Sequence, residues 1–421
     1  MNKNLSDLTA KFARNKALIG TVIAVVLIFI APSVMSVYNL GLLSKYLCYA
    51  MVAVGIGLAW GQGGMLTLGQ GLFFGLGAYV MAIHMNLEDI GPGKVPDFMS
   101  QYGITSVPGF WELFRNPVIA IIGVAAVPGI VAALLGWAVF GRGVRGAYFA
   151  ILSQALVAAF AVLLIGQSKT TGGTNGLNNF KGFFGYDLND PANQRMIFLI
   201  CAFLTLAMVL IVHWIRKSFM GDLIIGVRDQ ENRMKFLGYN PASIKVFAFT
   251  VAAMFAGIGG AMFVPVVGII SPSDIGVTPS ILMLAGVVIG GRTTLLGPVI
   301  GTLLVRFAET QLSEAYPSAW TYIEGLIFIL VIAFVPLGLG QFKGVWPWLK
   351  EKIGLGKGQS DGSEQGEASG SRAAKHAGVA SAAAAESASV AGTGAGGATA
   401  PSIGTSSASG PHPMQAKAVK A

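Results

Sequence analysis

Few side chains in this 421-residue chain could do chemistry on a bound molecule, and their spacing narrows what that chemistry could be. Four histidines, His84, His213, His376 and His412, are scattered along the chain and suggest no metal cluster. His84 and His213 fall near the ends of apolar runs, where an imidazole at a membrane interface is the plain expectation. Cys48 and Cys201 sit in apolar runs, too few for a disulfide framework or a zinc site, and read as small hydrophobes between helices. Gly290-Gly291-Arg292-Thr293-Thr294 comes nearest to a phosphate-cradling loop, but it lacks the lysine such a loop needs. No Ser-His-Asp arrangement can be argued from so few candidates. Lys45, Arg306, Glu309 and Glu324 lie near the ends of apolar runs, where snorkelling to the headgroups explains them better than a proton relay. A membrane chain with neither a relay nor an ATP site takes its energy from a partner, or is a channel and needs none.

The elements that must position these groups are membrane helices. Hydrophobic residues make up 54% of the chain and charged ones 11%, with a mean hydropathy of +0.67. A soluble domain carries about 25% charged residues, so an ordinary soluble enzyme is excluded. Apolar runs of spanning length lie near 17–35, 42–60, 66–87, 118–140, 147–166, 196–215, 244–266 and 321–340, with shorter runs near 279–291 and 294–308. The expected fold class is all-α and polytopic, with about 10 transmembrane helices: 8 full spans and a short pair. That pair is either two tilted helices or a re-entrant hairpin turning at Gly290, Gly291 and Arg292. Of 23 Lys and Arg in residues 1–356, 16 fall on the side that holds both termini and 7 on the other. That bias predicts cytoplasmic termini.

The domain plan is a cytoplasmic segment 1–16, a membrane domain 17–342 with an inner loop 216–245, and a cytoplasmic tail 343–421. From about residue 357 the tail is expected to be disordered, because 40 of its 65 residues are Ala, Gly or Ser. It holds +1 of the formal +9, so the basic excess is spread over short loops between apolar runs. The lipid bilayer is the expected partner of such a surface, and nucleic acid is not.

The loop from Arg216 to Lys245 is the most informative segment. Asp222 can cap a helix, Gly238 can end it in the left-handed conformation, and Pro241 blocks its continuation. Asp229 with Arg233 and Glu231 with Lys235 are acid-to-base pairs at i,i+4, each adding about 0.2–0.5 kcal/mol. Leu223, Ile224 and Val227 at one end, and Met234, Phe236 and Leu237 at the other, flank the polar block with apolar contacts. Spacing leaves two readings open: a solvated connector, or a short helix that docks on a soluble subunit.

Six segments in a fixed order carry a family resemblance. They are Gly64-Met65-Leu66-Thr67-Leu68-Gly69-Gln70-Gly71 with Phe74 to Tyr79, Arg145 to Leu152, Thr171-Gly172-Gly173-Thr174-Asn175-Gly176-Leu177, Gly226 to Pro241, Gly290 to Pro298, and Pro336 to Leu339. Covering about residues 40–340, they resemble the permeases of branched-chain amino acid and urea ABC importers, and the larger of their two subunit types. Ser153-Gln154-Ala155-Leu156, Thr174-Asn175-Gly176 and the coupling segment lean toward the urea branch. Thr67, Gln70, Thr293 and Leu337 stand where the family often has Ser, His, Gly and Lys.

The resemblance implies an importer of the bacterial cytoplasmic membrane in which this chain is not itself an enzyme. Its implied partners are a second homologous permease, two ATP-binding cassette ATPases that carry ATP and Mg, and an extracytoplasmic solute-binding protein. This chain would bind no cofactor or metal. Arg228, Asp229, Glu231, Asn232, Arg233 and Gly238 would couple it to the ATPase, and Thr171, Gly172, Gly173, Thr174 and Asn175 form a candidate outer loop. Thr67, Gln70, Tyr148, Ser153 and Gln154, with Gly69, are candidates for the translocation path, though for each of the five side chains taken singly a hydrogen bond between helices is the plainer reading. As an uncharged set they suit urea or a short amide; branched-chain amino acids, or a stand-alone channel for small neutral solutes, are the alternatives.

Overall fold

The computed structural model describes residues 31–315, apart from Pro92 and Arg145, together with Tyr322, Gly325 and Leu326. Among these residues nine helices of 14 or more residues carry the fold. In chain order they are α1 Val37–Ile56, α2 Gln70–Ile90, α3 Pro117–Phe140, α4 Ala147–Gly166, α5 Pro191–Lys217, α6 Phe219–Phe236, α7 Pro241–Val267, α8 Val277–Gly290 and α9 Gly297–Ala315. Five of them, α1 with its continuation to Gln62, α3, α4, α5 and α7, are long and apolar enough to cross a bilayer. The chain is polytopic and mainly helical. It departs from all-α by two short antiparallel pairs, Leu177–Asn178 with Ile269–Ile270 and Gly182–Phe183 with Tyr186–Asp187. Most of the expected spans at 17–35 and 321–340, both termini, the segment from Pro336 to Leu339 and the Ala/Gly/Ser-rich tail lie outside the described residues.

Three long helices begin alike. Asn116, Asp190 and Asn240 each accept the backbone N–H two residues on, at 2.9, 2.9 and 3.0 Å, and Pro117, Pro191 and Pro241 follow at the first helical position. The cap satisfies a free donor, and proline loses none because its own N–H would be unpaired there. α1 instead runs on into a π-helical stretch, Gly57–Gln62, a local widening that helices commonly place at functional sites. The apolar run expected at 66–87 becomes helical only at Gln70.

α7 is central, packing against α1, α2 and α3. Glycines let it approach α2 closely: a Cβ on Gly77 would overlap the Gly257 carbonyl, and one on Gly260 would overlap the Phe74 carbonyl. Tyr49, Phe74 and Phe263 form an aromatic cluster at this centre, with centroids 5.3–5.7 Å apart. α8 and α9 are two helices folded as a tight hairpin, in which Gly286 meets Thr302 and Gly290 meets Gly297. α3 and α4 turn Ile121, Ile122, Trp137, Ile151 and Val162 outward, an apolar surface suited to lipid or a second subunit.

One expectation about polar groups is corrected. Arg306 does not snorkel: it is buried, stacked 3.6 Å over the Tyr49 ring and paired with Glu309 at 2.6 Å. The Tyr49 face and the Glu309 carboxylate replace the headgroups that spacing suggested, while Glu324 lies outside the described residues. His84, near the end of α2, is buried in the protein, with the Phe114 carbonyl 2.9 Å from its Nδ1. Cys48 and Cys201 are buried with their sulfurs 4.0 Å apart, joining α1 to α5.

Candidate coupling and translocation site

The inner loop forms a helix, but not the uninterrupted one its charge spacing predicts. α6 starts at Phe219 with Ser218 before it, so Asp222 lies in the first turn and is not the cap. Gln230 leaves helical geometry, at φ −147° and ψ 72°, and this kink breaks the i,i+4 register. Asp229 therefore pairs with Arg228 and not with Arg233, taking Nε at 2.7 Å and Nη2 at 3.3 Å. That hydrogen bond holds the Asp229 carboxyl below its usual value. Glu231 reaches Lys245 at the start of α7, at 2.7 Å, in place of Lys235. The end matches expectation: Gly238 is left-handed at φ 86°, and Gly238 and Tyr239 donate to the carbonyls of Lys235 and Met234.

The two halves of α6 have different surroundings. Leu223, Ile224 and Val227 are buried against the membrane domain, whereas Asn232, Arg233, Phe236 and Leu237 are exposed. Where the halves join, Arg228 Nη1 donates to the Gly61 carbonyl at 3.0 Å, inside the π-helical stretch. Gly64, at φ 68°, leaves room for the Arg228 side chain, since a Cβ there would sit 2.7 Å from Arg228 Cγ. From the other side the α8–α9 turn grips the same stretch. Arg292 lies 4.8 Å over the Trp60 ring, Gln62 donates to the Thr293 carbonyl at 3.4 Å, and a Cβ on Gly61 would overlap the Arg292 carbonyl. Beneath α6 is a cavity of about 170 Å³ lined by Gly64, Met65, Phe149, Val227, Arg228 and Glu231. Sequence spacing missed this junction, because Gly61 and Arg228 lie 167 residues apart.

From the junction the chain runs non-helically to Gly69. Thr67 and Gln70 are buried; Thr67 Oγ1 accepts from the Gly69 N–H at 3.3 Å. Ser153 Oγ accepts from the Leu68 N–H at 3.1 Å, and a Cβ on Gly69 would sit 2.8 Å from Ser153 Cβ. Thr67, Gly69, Gln70 and Ser153 thus come together where α2 begins beside α4. Both amide atoms of Gln70 and of Gln154 are buried without a hydrogen-bond partner. Tyr148 is separate from the group, 79% exposed on the outside of α4.

The stretch from Thr171 to Asn175 is a compact turn. Thr171 Oγ1 donates to the Leu164 carbonyl at 2.7 Å, Gly172 and Gly173 are left-handed, and Thr174 and Asn175 are exposed. Through Leu177 and Asn178 it is tied to the strand that follows α7.

A polytopic helical domain carrying a half-buried, half-exposed loop helix is compatible with a transport permease. Residues 38–335 match the family described as branched-chain amino acid transport system, permease component, and the chain belongs to that family. It is 25% identical over 350 residues to the high-affinity branched-chain amino acid transport system permease protein LivM of Salmonella typhimurium, covering 78% of this chain and 75% of that one. The Escherichia coli LivM is 25% identical over 333 residues, covering 74% and 71%. The E. coli permease protein LivH of the same system is 24% identical over 304 residues, covering 69% and 90%. No solved structure matches the chain. The chain is a multi-pass permease of the bacterial inner membrane. The lean toward urea finds no support in these relatives, whose names specify branched-chain amino acids.

Proposed function

We propose that this chain is one permease subunit of an ATP-driven importer of branched-chain amino acids, and that α6 carries the motion of the ATPases to the translocation path. The division of α6 carries the coupling half of this reading. Its first half is held in the membrane domain, while beyond Gln230 it presents Asn232, Arg233, Phe236 and Leu237 to a partner. An exposed apolar pair beside charged groups suits a cleft on a soluble subunit better than water. The relatives' names support the substrate class. In the assembly, a second permease completes the path, two ATPases hold ATP and Mg, and a solute-binding protein delivers substrate from outside. No cofactor is needed on this chain.

The test is uptake by the complete importer in proteoliposomes, with the solute-binding protein outside and ATP inside. Labelled leucine is expected to accumulate, with excess isoleucine or valine competing and excess urea having no effect. Competition by urea, or uptake that continues without ATP, would replace this reading with the urea importer or the stand-alone channel.

A further inference from the structure

Two helices begin without side-chain caps where they meet. α2 starts after Gly69 and α8 after Gly276; each glycine carbonyl accepts one backbone N–H, from Leu72 at 3.2 Å and from Ser280 at 3.3 Å, and neither glycine has a side chain to accept the others. Their first turns touch: a Cβ on Gly71 would overlap Ser280 Oγ and lie 2.5 Å from the Ile275 carbonyl oxygen. The positive ends of two helix dipoles are therefore side by side. At the same place Gln70, the first residue of α2, is 1% exposed, and neither atom of its amide has a hydrogen-bond partner. Helical side chains lean toward the N-terminus of their helix, which carries this amide toward the uncapped end. Bare helix ends and an unsatisfied amide together suit an anionic group that accepts hydrogen bonds.

The surroundings narrow the class of ligand. Asp274 stands immediately before Ile275, with its carboxylate held by the Ser271 N–H at 2.9 Å and the Ser271 hydroxyl at 2.6 Å. A negative group beside two positive helix ends suits a molecule that carries both charges.

We infer that the paired N-termini of α2 and α8, with the Gln70 amide, receive the carboxylate of a zwitterionic α-amino acid during its passage. This rests on the amino-acid import reading. The station is closed in the conformation described, and the way to open it is built in. Gly64, at the inner end of the non-helical stretch that leads to Gln70, packs on Arg228 of α6. A shift of α6 would pull directly on that stretch.

The test is leucine uptake by the complete importer in proteoliposomes, with recovery of the intact complex on size-exclusion chromatography as the check on assembly. Gln70→Glu sets a carboxylate against the substrate's own and is expected to lower uptake by about tenfold or more, as like-charge juxtaposition demands. Gln70→Met removes the amide without adding charge and is expected to lower uptake by a smaller factor. Should Gln70→Glu fail to assemble, Ser280→Asp brings the same charge from the α8 side and carries the same expectation. Wild-type uptake in the charged variant, or equal losses in Gln70→Glu and Gln70→Met, would overturn the station. Absence of leucine uptake by the wild-type complex would instead overturn the import reading, and this inference with it.

Discussion

Gly260→Val is expected to leave almost no assembled protein in the membrane. A Cβ at Gly260 would overlap the backbone carbonyl of Phe74, and backbone cannot turn aside as a flexible side chain can. Overpacking a core costs about 1–3 kcal/mol where side chains can shift, and here α2 and α7 would have to separate. In lipid, close backbone approach at small residues is the main source of helix association, so little remains to restore the contact. The control is Gly41→Ala, since a Cβ at Gly41 meets nothing within 4 Å. Size-exclusion chromatography after detergent extraction reads the outcome: a monodisperse peak for Gly41→Ala and aggregate or none for Gly260→Val.

Arg228→Ala is expected to insert normally and to lose coupling. The Arg228 guanidinium joins α6 to the π-helical stretch through the Gly61 carbonyl, and its aliphatic part fills the space left by Gly64. A hydrogen bond to a charged group contributes about 1.5–3 kcal/mol, enough for about a tenfold change in an equilibrium between conformations. Leucine-stimulated ATP hydrolysis should fall to its basal rate, and leucine moved per ATP should fall by about tenfold or more. Arg228→Lys should recover only part of this, since the ammonium lacks the fork that holds Asp229 and Gly61 at once. Full stimulation in Arg228→Ala would mean that the junction is a structural contact alone.

The sequence made the helices legible to within a few residues wherever apolar length and caps agreed. The runs read at 118–140 and 147–166 are α3 at Pro117–Phe140 and α4 at Ala147–Gly166. Reading failed where tertiary contacts overrode local spacing. Asp229 and Arg233 have the spacing of a helical ion pair, but the turn at Gln230 separates them, and Glu231 finds Lys245 on the next helix. Arg306 has the position of a snorkelling residue, yet Tyr49 from α1 supplies the face it packs on. Among the path candidates, Thr67 and Gly69 read as part of the apolar run at 66–87, yet the chain becomes helical only at Gln70. Nothing local could tell that Tyr148 faces outward while Ser153, five residues on, faces Leu68.

The central claim is that the exposed half of α6 is the face that meets the ATPase. A photo-crosslinking amino acid placed at Asn232, in the complete importer within membranes, tests it directly, with the same substitution at Asn175 as the comparison. Both positions are exposed. The account predicts a crosslink from Asn232 to the ATPase subunit and none from Asn175. A crosslink to the ATPase from Asn175, or contact of Asn232 with the solute-binding protein, would contradict it.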